Sequence, residues 1–250
     1  MAKNTTGMET SLSNHAQDIC DNYNSNVGKL NEEDGIDCPK CLNKGNILVV
    51  QNNEPATMDC ECMIKRRSFK RIKLSGLGSL LDKRVNDYVA NEIWQKEVKG
   101  KATAYINSKS RNWFVMLGQS GSGKTHICSA ITSHLLNQGK EVRYVIWTDL
   151  AAKIREMDGV NVEIEEFKDV EILYIDDLFK VEASKGQKNA AFKIINHRAN
   201  NSLVTIISSE MLFDELLVAD EAIAGRIKHM AGDFLINITR GDKNYRLKRD

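Results

Sequence analysis

An α/β fold is what this 250-residue sequence predicts: a mostly parallel five-stranded sheet, preceded by a small cysteine-bearing module. Three observations lead there. Five short apolar runs alternate with segments of helical period between residues 113 and 238. A glycine-rich octapeptide, Gly118-Gln119-Ser120-Gly121-Ser122-Gly123-Lys124-Thr125, separates the first run from the helix that follows it. Four of the six cysteines fall between Cys38 and Cys62.

Composition narrows the function classes only a little. With 35 basic against 34 acidic residues, net charge makes no case for a nucleic-acid partner, so local charge has to be read instead. No basic patch followed by an apolar run opens the chain, and no stretch of 18 apolar residues occurs, so neither a secretory signal nor a membrane span is expected. Four cysteines at metal-ligand spacing and two without pairing logic, Cys20 and Cys128, fit reduced thiols and a cytoplasmic protein.

The elements follow in order. Residues 1 to about 35 are polar; Ile19, Tyr23, Val27 and Leu30 mark one short helix there, unless the region is loosely ordered. Strands are predicted at Trp113–Leu117, Val142–Trp147, Glu171–Ile175, Ser202–Ile207 and Phe234–Ile238. Helices are predicted at Lys124–Asn137, from Asp149, at Gln187–Ala199, Glu210–Val218 and Glu221–Met230. Strands this continuously apolar need helices on both faces. Only twelve residues follow Ile238, so no C-terminal helical lid is expected.

The octapeptide matches GxxxxGK[ST] between a strand and a helix, which is the context that lets backbone amides and a helix N-terminus cradle phosphates. Gly118 to Thr125, with His126 beside them, are therefore the expected ATP-binding residues. Lys124 is to reach the β- and γ-phosphates, and the Thr125 hydroxyl is to hold magnesium. Ile172-Leu-Tyr-Ile175 delivers Asp176 as a second magnesium ligand and Asp177 as the group that orients or deprotonates the attacking water, with helix capping as the alternative for Asp177. Ser208-Ser209-Glu210, at the end of the fourth strand, either contacts the γ-phosphate or caps the next helix, for which Ser209 is a suitable N-cap. Arg226 either completes the site of a neighbouring subunit or makes a surface salt bridge.

Cys38-Pro-Lys-Cys41 and Cys60-Glu-Cys62 enclose 18 residues that contain a strand, Asn46–Val50, and a turn, Gln51–Pro55. Two thiolate pairs joined by a hairpin describe a tetrahedral structural zinc site; an iron–sulfur cluster and disulfide or redox chemistry are the alternatives. Lys65 to Lys73 carries six basic residues in nine. That stretch reads as a solvated helix face, a contact to nucleic acid, or a protein-docking helix.

With both halves read, the chain resembles the bacterial and phage replicative helicase loaders of the DnaC/DnaI type, which are AAA+ ATPases. The resemblance covers most of residues 36–240. Besides the octapeptide and Asp176-Asp177, it rests on Ser75-Gly76-Leu77, Trp94-Gln95-Lys96 and Ile194-Ile195-Asn196-His197-Arg198, and on a zinc module ahead of a lidless core. It implies a helicase-docking module with a basic linker over residues 1–80 and an AAA+ ATPase domain over 81–250. It implies ATP, Mg2+ and Zn2+ as cofactors. The implied partners are a hexameric replicative helicase, single-stranded DNA and further copies of the chain, with a slow, partner-dependent ATPase. Ser208-Ser209-Glu210 stands where the family has a polar sensor, usually Thr-Ser-Asn, and Arg226 matches the position of its arginine finger. Rival readings are a transposition-helper ATPase of the same clade, a zinc-containing nucleic-acid adaptor with structural ATP, and a small-molecule kinase.

Overall fold

In the computed structural model, residues 5–74, 78–108, 110–156, 164–180 and 182–247 are described; Ser75-Gly76-Leu77 lie outside them. The chain divides into two compact units, residues 1–70 and 71–250.

The first unit begins with α1 (Thr5–Ser25), followed by α2 (Leu30–Asp34), a hairpin of β1 (Asn46–Gln51) and β2 (Glu54–Asp59), and the first turns of α3 (Cys62–Leu74). The expected short helix is instead a 21-residue one that stops before Val27 and Leu30. Its end has a local cause. Ser25 Oγ and Asn26 Nδ2 both donate to the Asn22 carbonyl, and Gly28 N–H donates to Leu42 O at 2.6 Å. A Cβ on Gly28 would lie 2.5 Å from the Asn43 carbonyl oxygen, so the chain can turn here only with glycine. Val27 is consequently 76% exposed, and among the described side chains of α1 Ala16 and Cys20 are buried. Asn24 then serves β1 as a neighbouring strand would: its amide accepts from Leu48 N–H at 3.0 Å and donates to Leu48 O at 2.8 Å. The hairpin turns on Asn52 and Asn53, both at positive φ, the geometry that matches the twist of the strands on either side.

The second unit holds α4 (Ile93–Asn107), β3 (Phe114–Gly118), α5 (Lys124–Asn137), β4 (Val142–Ile146), α6 (Trp147–Glu156), α7 (Glu165–Lys168), β5 (Ile172–Asp176), α8 (Lys185–Asn200), β6 (Val204–Ser209), α9 (Phe213–Ala219), α10 (Glu221–Ala231) and β7 (Leu235–Ile238). The strands form one five-stranded sheet in the order β4-β5-β6-β3-β7, and every pairing is parallel. Every residue of β3 and β5 is buried, as a sheet covered on both faces requires. Trp113, Val115, Leu117, Leu173, Ile175 and Ile207 pack with Ile194 and Ile195 of α8 and Ile223 and Ile227 of α10.

Some boundaries differ from the expected ones for identifiable reasons. Trp147 opens α6 rather than closing β4. The helix after β6 begins at Phe213, not Glu210, because the Glu215 carboxylate accepts from Leu212 N–H at 2.8 Å and so takes the capping role assigned to Ser209. Order in the sheet also decides what meets at its carboxyl edge. β6 lies between β3 and β5, which brings the end of β6 between the glycine loop and Asp176. Among the described residues no helix is long and apolar enough to cross a membrane.

Candidate nucleotide site and metal centre

The loop after β3 needs its glycines. Gly118 (φ 110°), Gly121 (φ 73°) and Gly123 (φ 87°) all occupy the left-handed region or beyond, and a Cβ on Gly118 would lie 1.9 Å from the Ile238 carbonyl oxygen. Gln119 N–H donates to that same carbonyl at 3.1 Å, so β7 fixes one end of the loop. Gly123 then opens α5, whose first turn leaves amides free to meet an anion.

Lys124 is only 5% exposed, and its Nζ donates to the carbonyls of Gly118 (2.8 Å) and Gln119 (2.7 Å). Burial pushes its pKa down, against the nearby charges of Glu210 and Asp177. Ser122 Oγ donates to Gln119 O at 2.7 Å, tightening the loop. Tyr88 covers the loop from outside: its hydroxyl donates to Ser122 O at 3.1 Å, and a Cβ on Gly123 would meet its ring at 2.6 Å. The His126 ring lies beside Tyr88 and bonds the Arg84 carbonyl at 3.0 Å.

Asp176 is 6% exposed at the end of β5. Oδ1 accepts from Thr125 Oγ1 (3.3 Å), Tyr174 Oη (2.8 Å) and Ser208 Oγ, while Oδ2 accepts from Tyr144 Oη (2.7 Å). Asp177 has φ 57°, donates its N–H to Ser208 Oγ, and pairs with Lys180 at 2.8 Å. Glu210 also pairs with Lys180, at 3.5 Å. Although burial works to raise it, the Glu210 pKa is lowered by a hydrogen bond from Ser120 and by the charges of Lys180 and Lys124. Together Tyr88, Gly123, Lys124, Asp177, Lys180 and Glu210 line one cavity of about 580 Å³.

The glycine cradle, the helix N-terminus, the buried ammonium of Lys124 and the Thr125–Asp176 pair therefore fit a magnesium nucleotide. Two expected residues stand apart. Ser209 is fully buried, donating to Leu178 O at 2.6 Å and accepting from Met211 N–H, so its hydroxyl faces away from the cavity and Glu210 is the member of that trio that lines it. Arg226 lies on α10, where its guanidinium donates to Asn196 Oδ1 and Ala222 O and covers the Phe192 ring at 4.8 Å. It does not line its own chain's nucleotide cavity. Tyr88, Tyr144, Tyr174 and Lys180 escaped sequence reasoning. Only Tyr174 carried a signal, since it shares a strand face with Asp176 two residues on.

In the first unit the Sγ atoms of Cys38, Cys41, Cys60 and Cys62 lie within 4.8 Å of one another, with Cys38–Cys60 at 3.8 Å and Cys41–Cys62 at 3.6 Å. Sulfurs about 2.3 Å from a tetrahedral zinc are about 3.8 Å apart, so the donor set fits that ion. Gly45 N–H donates to Cys41 Sγ at 3.3 Å. Burial opposes ionisation of Cys41, yet this amide and the neighbouring thiols bring its pKa to about 7. Asn43 braces the knuckle: it accepts from Cys38 N–H at 2.7 Å and donates to Asp37. The basic stretch splits by function. Arg66 is buried and grips Asp34 with bonds of 2.5 and 2.6 Å, and Arg67 pairs with Asp59, whereas Lys65 is half-buried and Lys70 is exposed.

Comparison with known proteins places the second unit in a family. A family model described as "IstB-like ATP binding protein" matches residues 59–249. Among curated relatives, the uncharacterized protein YqaM of Bacillus subtilis strain 168 is 31% identical over 75% of this chain and 66% of its own length. The phage-like element PBSX protein XkdC of the same strain is 26% identical over 85% of this chain and 86% of its own. A replicative helicase loader DnaC from Buchnera aphidicola (strain Bp) is 24% identical over 72% of this chain and 79% of its length. Among solved structures, that of DnaI superposes with a TM-score of 0.55 at 20% identity, covering 66% of this chain and 92% of its own. The DnaC helicase loader gives 0.50 at 18%, covering 64% and 97%. At these identities the structures speak to the fold: an AAA+ core of the DnaC and DnaI kind.

Proposed function

Starting from a chain that belongs to the IstB-like ATP-binding protein family, we propose that it is an ATP-dependent loader that delivers a hexameric replicative helicase onto single-stranded DNA. The observation that carries this reading is the combination of a four-cysteine module with a loader-type AAA+ core in one chain. The 24% identical relative named as a helicase loader supports it. In this reading residues 1–80 dock on the helicase, residues 81–250 act as the ATP switch, copies assemble side by side, and the protein works in the cytoplasm.

Bound magnesium ATP supplies the phosphoanhydride to be cleaved and a metal charge to polarise it. The residues do the rest. Lys124 leaves the Gly118 and Gln119 carbonyls for phosphate oxygens, and the N-terminus of α5 holds those oxygens through its amides. Thr125 and Asp176 hold the cation. Asp177 orients the attacking water and takes its proton as the terminal phosphoryl group passes to that water. Arg226 of a neighbouring copy stabilises the charge that develops, which makes turnover slow until copies assemble on a partner. Zinc held by Cys38, Cys41, Cys60 and Cys62 keeps the docking module folded.

A second reading, a transposition helper, is favoured by the family model itself. Pull-down of the zinc-loaded protein with the replicative helicase of its host or phage, with and without ATP, separates the two. Stoichiometric capture that depends on residues 1–80 is the expected result. Capture of a transposase, with the helicase ignored in both conditions, replaces the loader with the helper.

A further inference from the structure

Lys180 stands where two carboxylates of the nucleotide cavity meet. Its Nζ is 2.8 Å from Asp177 Oδ2 and 3.5 Å from Glu210 Oε1, and all three side chains line the cavity that holds Lys124. The loop beneath it is pinned. Asp177 and Phe179 both have positive φ, 57° and 55°, which reverses the chain within three residues of β5. Leu178 and Phe179 are buried; Leu178 N–H donates to Ser208 O at 2.9 Å, and Ser209 Oγ donates to Leu178 O at 2.6 Å. The Phe179 ring meets Trp147 edge-on at 5.6 Å. Such bracing fixes the Lys180 backbone, while its side chain stays 42% exposed and can swing.

Charge then poses a problem that this lysine solves. Glu210 brings a negative group into the cavity beside Ser120 of the glycine loop, and Asp177 adds another. A triphosphate entering such a site is repelled unless a cation stands between. Lys124 reaches the phosphates from the glycine loop, where it bonds the Gly118 and Gln119 carbonyls, whereas Lys180 pairs with the two carboxylates themselves. We propose that Lys180 is a further nucleotide-contacting residue, one that distinguishes a nucleoside triphosphate from a diphosphate. Without a terminal phosphate it bridges Asp177 and Glu210. With one, it transfers to that phosphate and frees the Asp177 carboxylate for water. A compact ammonium on a flexible stem suits this exchange between oxyanions. The inference rests on the reading of this cavity as an ATP site.

The test is binding of a non-hydrolysable ATP analogue and of ADP, both with magnesium, to the full chain and to its Lys180→Ala and Lys180→Arg variants, by displacement of a fluorescent nucleotide. Loss of a charge-assisted contact made only by the triphosphate weakens the analogue by about tenfold or more in Lys180→Ala, with ADP changed less than about twofold. Lys180→Arg is to recover most of the preference. Equal weakening of both nucleotides in Lys180→Ala, or no change in either, overturns the role of Lys180 while leaving the ATP site standing. Wild-type protein that binds neither nucleotide removes the ATP-site reading and the inference together.

Discussion

Tyr144 donates a 2.7 Å hydrogen bond to Oδ2 of Asp176, reaching from β4 to the neighbouring strand β5. The bond follows from register: Tyr144 lies opposite Tyr174, their rings meet edge-on at 4.8 Å, and both hydroxyls converge on the one carboxylate. Burial pushes both phenol pKa values well above their usual range, with the Asp176 charge among the further causes for each, so both groups act as neutral donors. Replacing Tyr144 by Phe leaves Oδ2 without its donor. The half-saturating magnesium concentration for ATP hydrolysis is expected to rise several-fold, with a stability loss of about 1–2 kcal/mol. A magnesium titration paired with denaturant unfolding checks both effects, and an unchanged titration would assign the tyrosine to packing alone.

Two of the loop glycines, Gly118 and Gly121, are expected to respond differently to alanine. At Gly118 the new Cβ would meet the Ile238 backbone at 1.9 Å, so Gly118→Ala should abolish nucleotide binding and cost about 2 kcal/mol or more. At Gly121 the obstacle is the tip of the Asn244 side chain, which can turn aside. Gly121→Ala is therefore expected to keep the fold and lose only part of its affinity, about tenfold or less, from backbone strain. Isothermal titration with ADP on both variants makes the comparison.

Arg198 is fully buried, and carbonyls rather than a carboxylate surround it. It donates to Thr205 Oγ1, to Phe167, Lys168 and Val170 O, and to Val204 O, joining α7 and β6. Burial lowers its pKa to about 10, still high enough that it is charged at neutral pH. Arg198→Leu strands those carbonyls, at an expected cost of about 3–5 kcal/mol. Arg198→Lys cannot reproduce the fork and is expected to recover less than half of it. Urea midpoints with unchanged slopes are the readout.

Metal analysis of the purified protein is expected to find one zinc per chain. Removing it with a strong chelator, or removing one ligand by Cys60→Ser, is expected to unfold the hairpin and α2 while ADP still binds at the glycine loop. Circular dichroism with nucleotide titration distinguishes this from global unfolding. An undiminished zinc content in Cys60→Ser would exclude the four-cysteine site.

What the sequence determined by itself was whatever depends on neighbours along the chain. The five strands were legible because runs buried on both faces are continuously apolar, and the turn over Gly118–Thr125 because its positive-φ positions call for glycine. The closeness of the cysteines within each pair was legible because one and two residues separate them. Only the tertiary structure decided the rest. Placing β6 between β3 and β5 turned the hydroxyl of Ser208 toward Asp176 and that of Ser209 toward Leu178 O, since successive residues of a strand face opposite ways. That parity cannot be read from a run of two serines. Tyr144 reaches Asp176 from 32 residues away through strand register, and Lys180 meets Glu210 because two strand ends lie side by side. The end of α1 was set by Gly28 meeting the Asn43 carbonyl, a contact between segments that have no periodic signal in common.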